Sequence, residues 1–165
     1  RVAIAIALLH RPAVIVADEP TTALDVSIQA QILYQMRDLA AETGTAMIWI
    51  SHDLAVVSSL ASKLAVMYAG RIVEQGPTAT LLRDPRHPYT AGLIASLPGS
   101  TKPGMPLKQI PGTTPSLLSL PPGCPFAPRC DRATVSCDAA PQVTLHDGRD
   151  WRCFYPVGQS PEASQ

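Results

Sequence analysis

Two short apolar runs of almost equal length, separated by one helical stretch, restrict this chain more than anything else in its sequence. Val14 to Ala17 is a continuous apolar run that ends in Asp18-Glu19-Pro20, and Ala46 to Ile50 is a second that ends in Ser51-His52-Asp53. Runs of this kind predict strands buried on both faces, as in a covered parallel sheet. Between them Ile28, Ile32, Met36 and Leu39 recur at helical spacing over about Val26 to Glu42, with Asp25 placed to cap the start and Gly44 the stop. Strand, helix, strand in this order predicts parallel neighbours joined by a right-handed crossover, which is an α/β fold.

Such a sheet brings its strands' carboxyl ends to one edge, where α/β proteins place their chemistry. Asp18-Glu19 and His52 therefore share an edge despite their distance along the chain. Adjacent carboxylates at a strand tip repel each other and call for a counter-charge. A divalent cation with phosphates resolves this, Asp18 holding Mg²⁺ and Glu19, displaced into the turn, orienting a nucleophilic water. His52 is placed to donate to a terminal phosphate oxygen. Taken singly, each feature is more ordinary: Asp-Glu-Pro reads as a solvated turn and a lone His as a surface residue. Their coincidence on one edge carries the functional reading.

Downstream, a helix is predicted over Leu54–Leu60, a hairpin over Leu64–Tyr68 and Arg71–Glu74 around Ala69-Gly70, and short helices over Thr78–Arg83 and Tyr89–Leu97. Arg1–Leu9 reads as a helix stopped by Pro12. From Pro98 to Gly123 there are seven prolines, four glycines and two charged residues, which reads as an extended connector. All four cysteines follow, as Cys124, Cys130, Cys137 and Cys153, in a C-x5-C-x6-C-x15-C pattern. The tail beyond residue 157 reads as disordered.

With 13 basic and 13 acidic residues, the chain lacks the electrostatic footprint of a nucleic-acid binder. No apolar run approaches the ~20 residues that span a bilayer. Arg1 at the first position, with no signal-peptide pattern after it, suggests a piece of a longer protein.

DEPTTALD followed by WISHDL resembles the second half of an ATP-binding cassette (ABC) transporter ATPase. VIVADE is similar to its Walker B strand with the catalytic glutamate, Ala23 to Asp25 to its D-loop, and Ile50 to Asp53 to its switch-histidine loop. YAGRIVEQG resembles the hairpin that follows, and Arg1 to Ala5 the helix after the signature sequence. PRHPYTAGLIASLP, the strap Gln109 to Ser116 and the cysteine-rich end resemble the oligopeptide and dipeptide importer branch, which includes nickel importers. Gly99 and Gly104, the one glycine pair at P-loop spacing, precede Met-Pro rather than Lys-Ser, so Walker A and the signature loop are expected upstream of Arg1.

The resemblance implies a C-terminal part of a P-loop ATPase sheet, with residues 1–84 a partial nucleotide-binding domain, 85–123 the importer helix and connector, and 124–156 a four-cysteine extension. It implies ATP and Mg²⁺ as cofactors, Glu19 and His52 as catalytic residues, Asp18 on the metal, and Asp25 at an ATPase dimer interface. It further implies a second ATPase subunit, permease subunits and an external peptide-binding protein as partners, at the cytoplasmic face of a bacterial inner membrane. The isolated chain is expected to hydrolyse no ATP. For the cysteines the reading leaves an iron-sulfur cluster, preferred, beside zinc and free thiols. A soluble or DNA-repair ABC ATPase and a catalytically inactive Cys-metal interaction module are the rival readings.

Overall fold

The computed structural model describes residue 4, residues 6–7, 9–22, 24–97, 99, 104 and 106–158. The helix expected over Arg1–Leu9 falls largely outside these residues, as do Ala23 of the expected D-loop and the tail from 159 onward. Two compact units divide the chain, Arg1–Ala61 and Ser62–Gln165.

In the first unit β1 (Val14–Asp18), α1 (Val26–Thr43), β2 (Ala46–Ile50) and α2 (Leu54–Leu60) follow in order. The Asp25 carboxylate caps α1 by accepting the Ile28 N–H at 2.8 Å, and Gly44 closes the helix at φ 69°. Asp53 does the same for α2, accepting from the Ala55 and Val56 amides. The strands pair in parallel, from Val14 opposite Ala46 to Asp18 opposite Ile50. That register puts the two carboxyl ends level with each other.

Burial on both faces is not what these strands show. Val14, Val16, Ile48 and Ile50 are 46–61% exposed, while Ile15, Ala17, Met47 and Trp49 between them are half-buried. Successive side chains of a strand point to opposite faces, so a pair covered on one face exposes every second residue whatever its hydrophobicity. Ile32 and Met36 of α1 and Val56 and Val57 of α2 form this unit's buried core.

The second unit is built on an antiparallel sheet in the order β3-β4-β6-β5. β3 (Lys63–Tyr68) and β4 (Arg71–Pro77) form the expected hairpin, longer than its apolar residues indicate. α3 (Thr78–Arg83) and α4 (Pro88–Ala95) follow, then β5 (Thr144–His146) and β6 (Arg149–Trp151). β6 pairs with β4 at Glu74–Trp151 and Gln75–Asp150. Leu64, Val66, Tyr68, Val73, Leu81, Phe126 and Trp151 are buried. Tyr68, Tyr89 and Phe126 form a ring cluster with centroids 4.6–5.4 Å apart. From 106 to 123 the described residues carry no helix or strand.

Candidate functional site

Glu19 begins the turn beyond β1, and its own N–H donates to the Ile50 carbonyl at 3.0 Å, extending the parallel ladder by one residue. The backbone then departs into the left-handed region, φ 46°, a conformation that disfavours a residue bearing a Cβ and recurs at functional sites. This turn aims the carboxylate across the edge toward β2. Oε1 accepts both the His52 backbone N–H at 3.1 Å and the imidazole Nδ1–H at 2.8 Å. Oε2 accepts the Thr22 hydroxyl. Thr22 went unnoticed in the sequence, where a threonine three residues after an acid in a turn is a usable but weak signal.

Electrostatics follow from these contacts. The Thr22 hydrogen bond, then that of His52, holds the Glu19 carboxyl below its ordinary value. The bond to Glu19 in turn raises the His52 imidazole above its own. Both groups are solvent-facing, so the pair is open to a ligand. Asp18 is exposed at the strand end, and its carboxylate accepts no hydrogen bond among the described residues, which leaves it free to take a hard cation. His52 stands on Glu19 here rather than reaching outward. Asp25 is occupied as the α1 cap.

In the other unit the cysteines line one small cavity together with His87, Pro88, Phe126, Ala127, Arg132, Pro141, Phe154 and Tyr155. All four are free thiols. Tight 3₁₀ turns at Ala127–Arg129 and Val135–Asp138 bring three of them together, and the Cys124 N–H donates to the Cys137 carbonyl at 2.9 Å. Gly123 permits this approach: at φ 74°, a Cβ there would lie 2.3 Å from the Cys137 oxygen. Cys153 arrives just beyond β6. Burial raises the thiols of Cys124 and Cys130, and pushes Cys153 up to about 12. Among the described residues no group of three or more His, Cys, Asp or Glu stands close enough to hold a single metal ion.

Arg129 explains the proline-rich strap. Its guanidinium donates to the carbonyls of Pro111 (2.8 Å) and Ile110 (3.4 Å), to Thr114 Oγ1 (3.2 Å) and to the Tyr68 hydroxyl (3.3 Å). His87 explains the His-Pro-Tyr start of α4. Its Nδ1 accepts the Tyr89 N–H at 3.0 Å, and Pro88 takes the first helical position. Neither role was read from the sequence.

The chain is similar in sequence to ATP-binding proteins of peptide import. More particularly, residues 73–137 match the family described as the oligopeptide/dipeptide transporter, C-terminal region. The chain is 48% identical over 158 residues to the oligopeptide transport ATP-binding protein OppD of Salmonella typhimurium, covering 95% of this chain and 47% of that protein. OppD of Escherichia coli K12 matches at the same identity over 158 residues, with the same coverage. OppD of Haemophilus influenzae is 49% identical over 144 residues, 87% of this chain and 45% of its own length. The chain thus spans about half the length of the relatives it matches. No helix among the described residues is long and apolar enough to cross a membrane.

Proposed function

We propose that the chain is the hydrolytic part of an ATPase subunit that powers uptake of peptides by an ABC importer. One observation carries this: the 2.8 Å bond between Glu19 and His52 across the level carboxyl ends of two parallel strands. Glu19 orients the attacking water and takes its proton at the carboxylate. Thr22 and His52 hold that carboxylate in position and keep it ionised. His52 bridges the water site to the terminal phosphate of ATP. Asp18 is the residue that holds Mg²⁺, which when bound neutralises phosphate charge. Asp25, at the first turn of α1, faces a second ATPase subunit. On this reading residues 1–84 are part of a nucleotide-binding domain, 85–123 importer-specific structure, and 124–156 a cysteine extension. The subunit sits peripherally at the cytoplasmic face of the bacterial inner membrane, beside permease subunits that receive peptide from an external binding protein. Nickel is the alternative cargo.

The four cysteines are the ligands of an iron-sulfur cluster on the same reading. Four thiols on one cavity supply the full donor set. A tetrahedral zinc with Zn–S near 2.3 Å would draw its sulfurs to within roughly 3.8 Å of one another, whereas a cluster spreads its ligands wider. Burial that disfavours bare thiolates favours a cationic core to neutralise them.

The assembled importer tests the hydrolytic claim. Glu19→Gln lowers ATP turnover by about 10²–10⁴-fold, the usual contribution of a general base, and peptide uptake falls with it; undiminished uptake refutes the proposal. Anaerobic preparation yields iron, acid-labile sulfide and visible charge-transfer absorption, and their absence refutes the cluster. The self-contained core of the second unit favours one rival, a catalytically inactive metal-holding interaction module. That reading leaves the importer indifferent to Glu19→Gln.

A further inference from the structure

The Glu19 carboxylate offers about four acceptor positions, two on each oxygen, and the hydrogen bonds at the strand edge fill them unevenly. Oε1 accepts twice, from the His52 backbone N–H at 3.1 Å and from the ring Nδ1–H at 2.8 Å. Oε2 accepts once among the described residues, from the Thr22 hydroxyl. Local backbone geometry puts that hydroxyl there. Glu19 to Thr22 is a tight turn, closed by the Thr22 N–H on the Glu19 carbonyl at 3.3 Å, with Pro20 fixing φ at its second position. The next joint follows at once, where the Leu24 N–H donates to the Thr21 carbonyl at 3.1 Å. Thr22 itself is exposed, so its side chain is not there to fill a core. A hydroxyl has a single proton to donate, and here it goes to Oε2. What remains open on Glu19 is one lone pair of Oε2, on the side away from Thr22.

We propose that Thr22 selects the hydrolytic atom of Glu19: with His52 filling Oε1 and the Thr22 hydroxyl filling one side of Oε2, the attacking water is held, and loses its proton, at the open side of Oε2. This rests on the hydrolytic reading above and goes beyond it by assigning the atom and the residue that fixes it. In the step itself the water oxygen forms a bond to the terminal phosphorus of ATP. The P–O bond to ADP breaks with its electron pair on the ADP oxygen, and the water proton ends on Oε2. A carboxylate free to rotate presents either oxygen and samples many water positions. One held at both oxygens presents a single site, and orientation of this kind lowers the barrier of the chemical step without changing how ATP binds. Thr22 touches the base rather than the reacting atoms, so it is a positioning residue.

Thr22→Val keeps the shape and removes the hydroxyl, whereas Thr22→Ser retains it. In the assembled importer Thr22→Val is expected to lower kcat by about 10–10²-fold, the contribution of one hydrogen bond to a charged group, with KM for ATP unchanged. Thr22→Ser recovers most of that loss. Added to Glu19→Gln, Thr22→Val brings no further loss, because the base it positions is gone. Wild-type turnover in Thr22→Val, a loss confined to KM, or a loss that adds in full to that of Glu19→Gln overturns the proposal. Undiminished turnover in Glu19→Gln instead overturns the hydrolytic reading on which it stands, whatever Thr22→Val does. A second measurement needs no turnover. In the nucleotide-free chain, ¹³C-labelled at Glu, the infrared difference against Glu19→Gln isolates the Glu19 carboxylate stretches. Thr22→Val should shift their splitting and Thr22→Ser should not; the same splitting with and without the hydroxyl refutes the bond.

Discussion

Glu74 is the least expected residue of the second unit: a carboxylate within β4, 0% exposed. Its Oε1 accepts the Arg86 N–H at 2.7 Å and its Oε2 the His87 N–H at 2.8 Å, fixing the backbone that leads into α4. Glu74→Gln preserves shape but supplies one acceptor where two are needed, and turns an NH₂ group onto a backbone N–H. Hydrogen bonds to a charged acceptor contribute about 1.5–3 kcal/mol each. Losing one and weakening the other destabilises the unit by about 2–4 kcal/mol. Urea unfolding in a Trp49→Phe background reads this cleanly. The remaining tryptophan, Trp151, is 3% exposed and sits opposite Glu74 in the β4–β6 ladder. The midpoint should fall at an unchanged slope. A Glu74→Gln protein within ~0.5 kcal/mol of wild type, the range of an ordinary surface substitution, refutes the assignment of Glu74 as the clamp on α4.

In the first unit, NMR titration of the nucleotide-free chain should find His52 above the ordinary 6.5, and Glu19→Gln should bring it back. The raised histidine contributes stability below its ordinary value that is lost as pH climbs through its folded value. The lowered glutamate contributes above the ordinary 4.5 and loses its share as pH falls. Their joint effect on Trp49-monitored unfolding therefore peaks between 4.5 and 6.5, and a His52 titrating at or below 6.5 refutes the pair. Gly123→Ala should destabilise by about 2–5 kcal/mol, since a left-handed backbone penalty of about 1–2 kcal/mol adds to a forced backbone shift of about 1–3 kcal/mol. Gly148→Ala is its control: at φ 72° with nothing within 4 Å of the new Cβ, it carries the left-handed penalty alone. Equal losses in the two variants would refute the close approach of Gly123 to Cys137.

Local chemistry made much of the fold legible. The α1 periodicity, its Asp25 cap and Gly44 stop, and the limits of β2, α2 and α3 all lie within a few neighbouring residues, and the structure reproduces them. The Glu19–His52 meeting was also legible, because parallel strands joined by a crossover leave no other edge for their carboxyl ends. β5 and β6 escaped because a three-residue strand is too short to display a period. Asp147-Gly148, both at positive φ, was the hairpin signal that could have revealed them. The exposed Val14, Val16, Ile48 and Ile50 were misjudged for a related reason: hydrophobicity marks what a strand can bury, not what stands against it.

By itself the sequence determined the helical and extended segments, the acid pair with its histidine, and the count and spacing of the thiols. These depend on side-chain chemistry, chirality and hydrogen bonds spanning a few residues. Only the tertiary structure decided that Glu74 is a buried clamp, that Arg129 ties down the strap, and that His87 caps a helix while lining the cysteine cavity. Burial and long-range hydrogen bonding are properties of position in space, and no window of neighbouring letters records which distant backbone atoms will arrive beside a given carboxylate or ring.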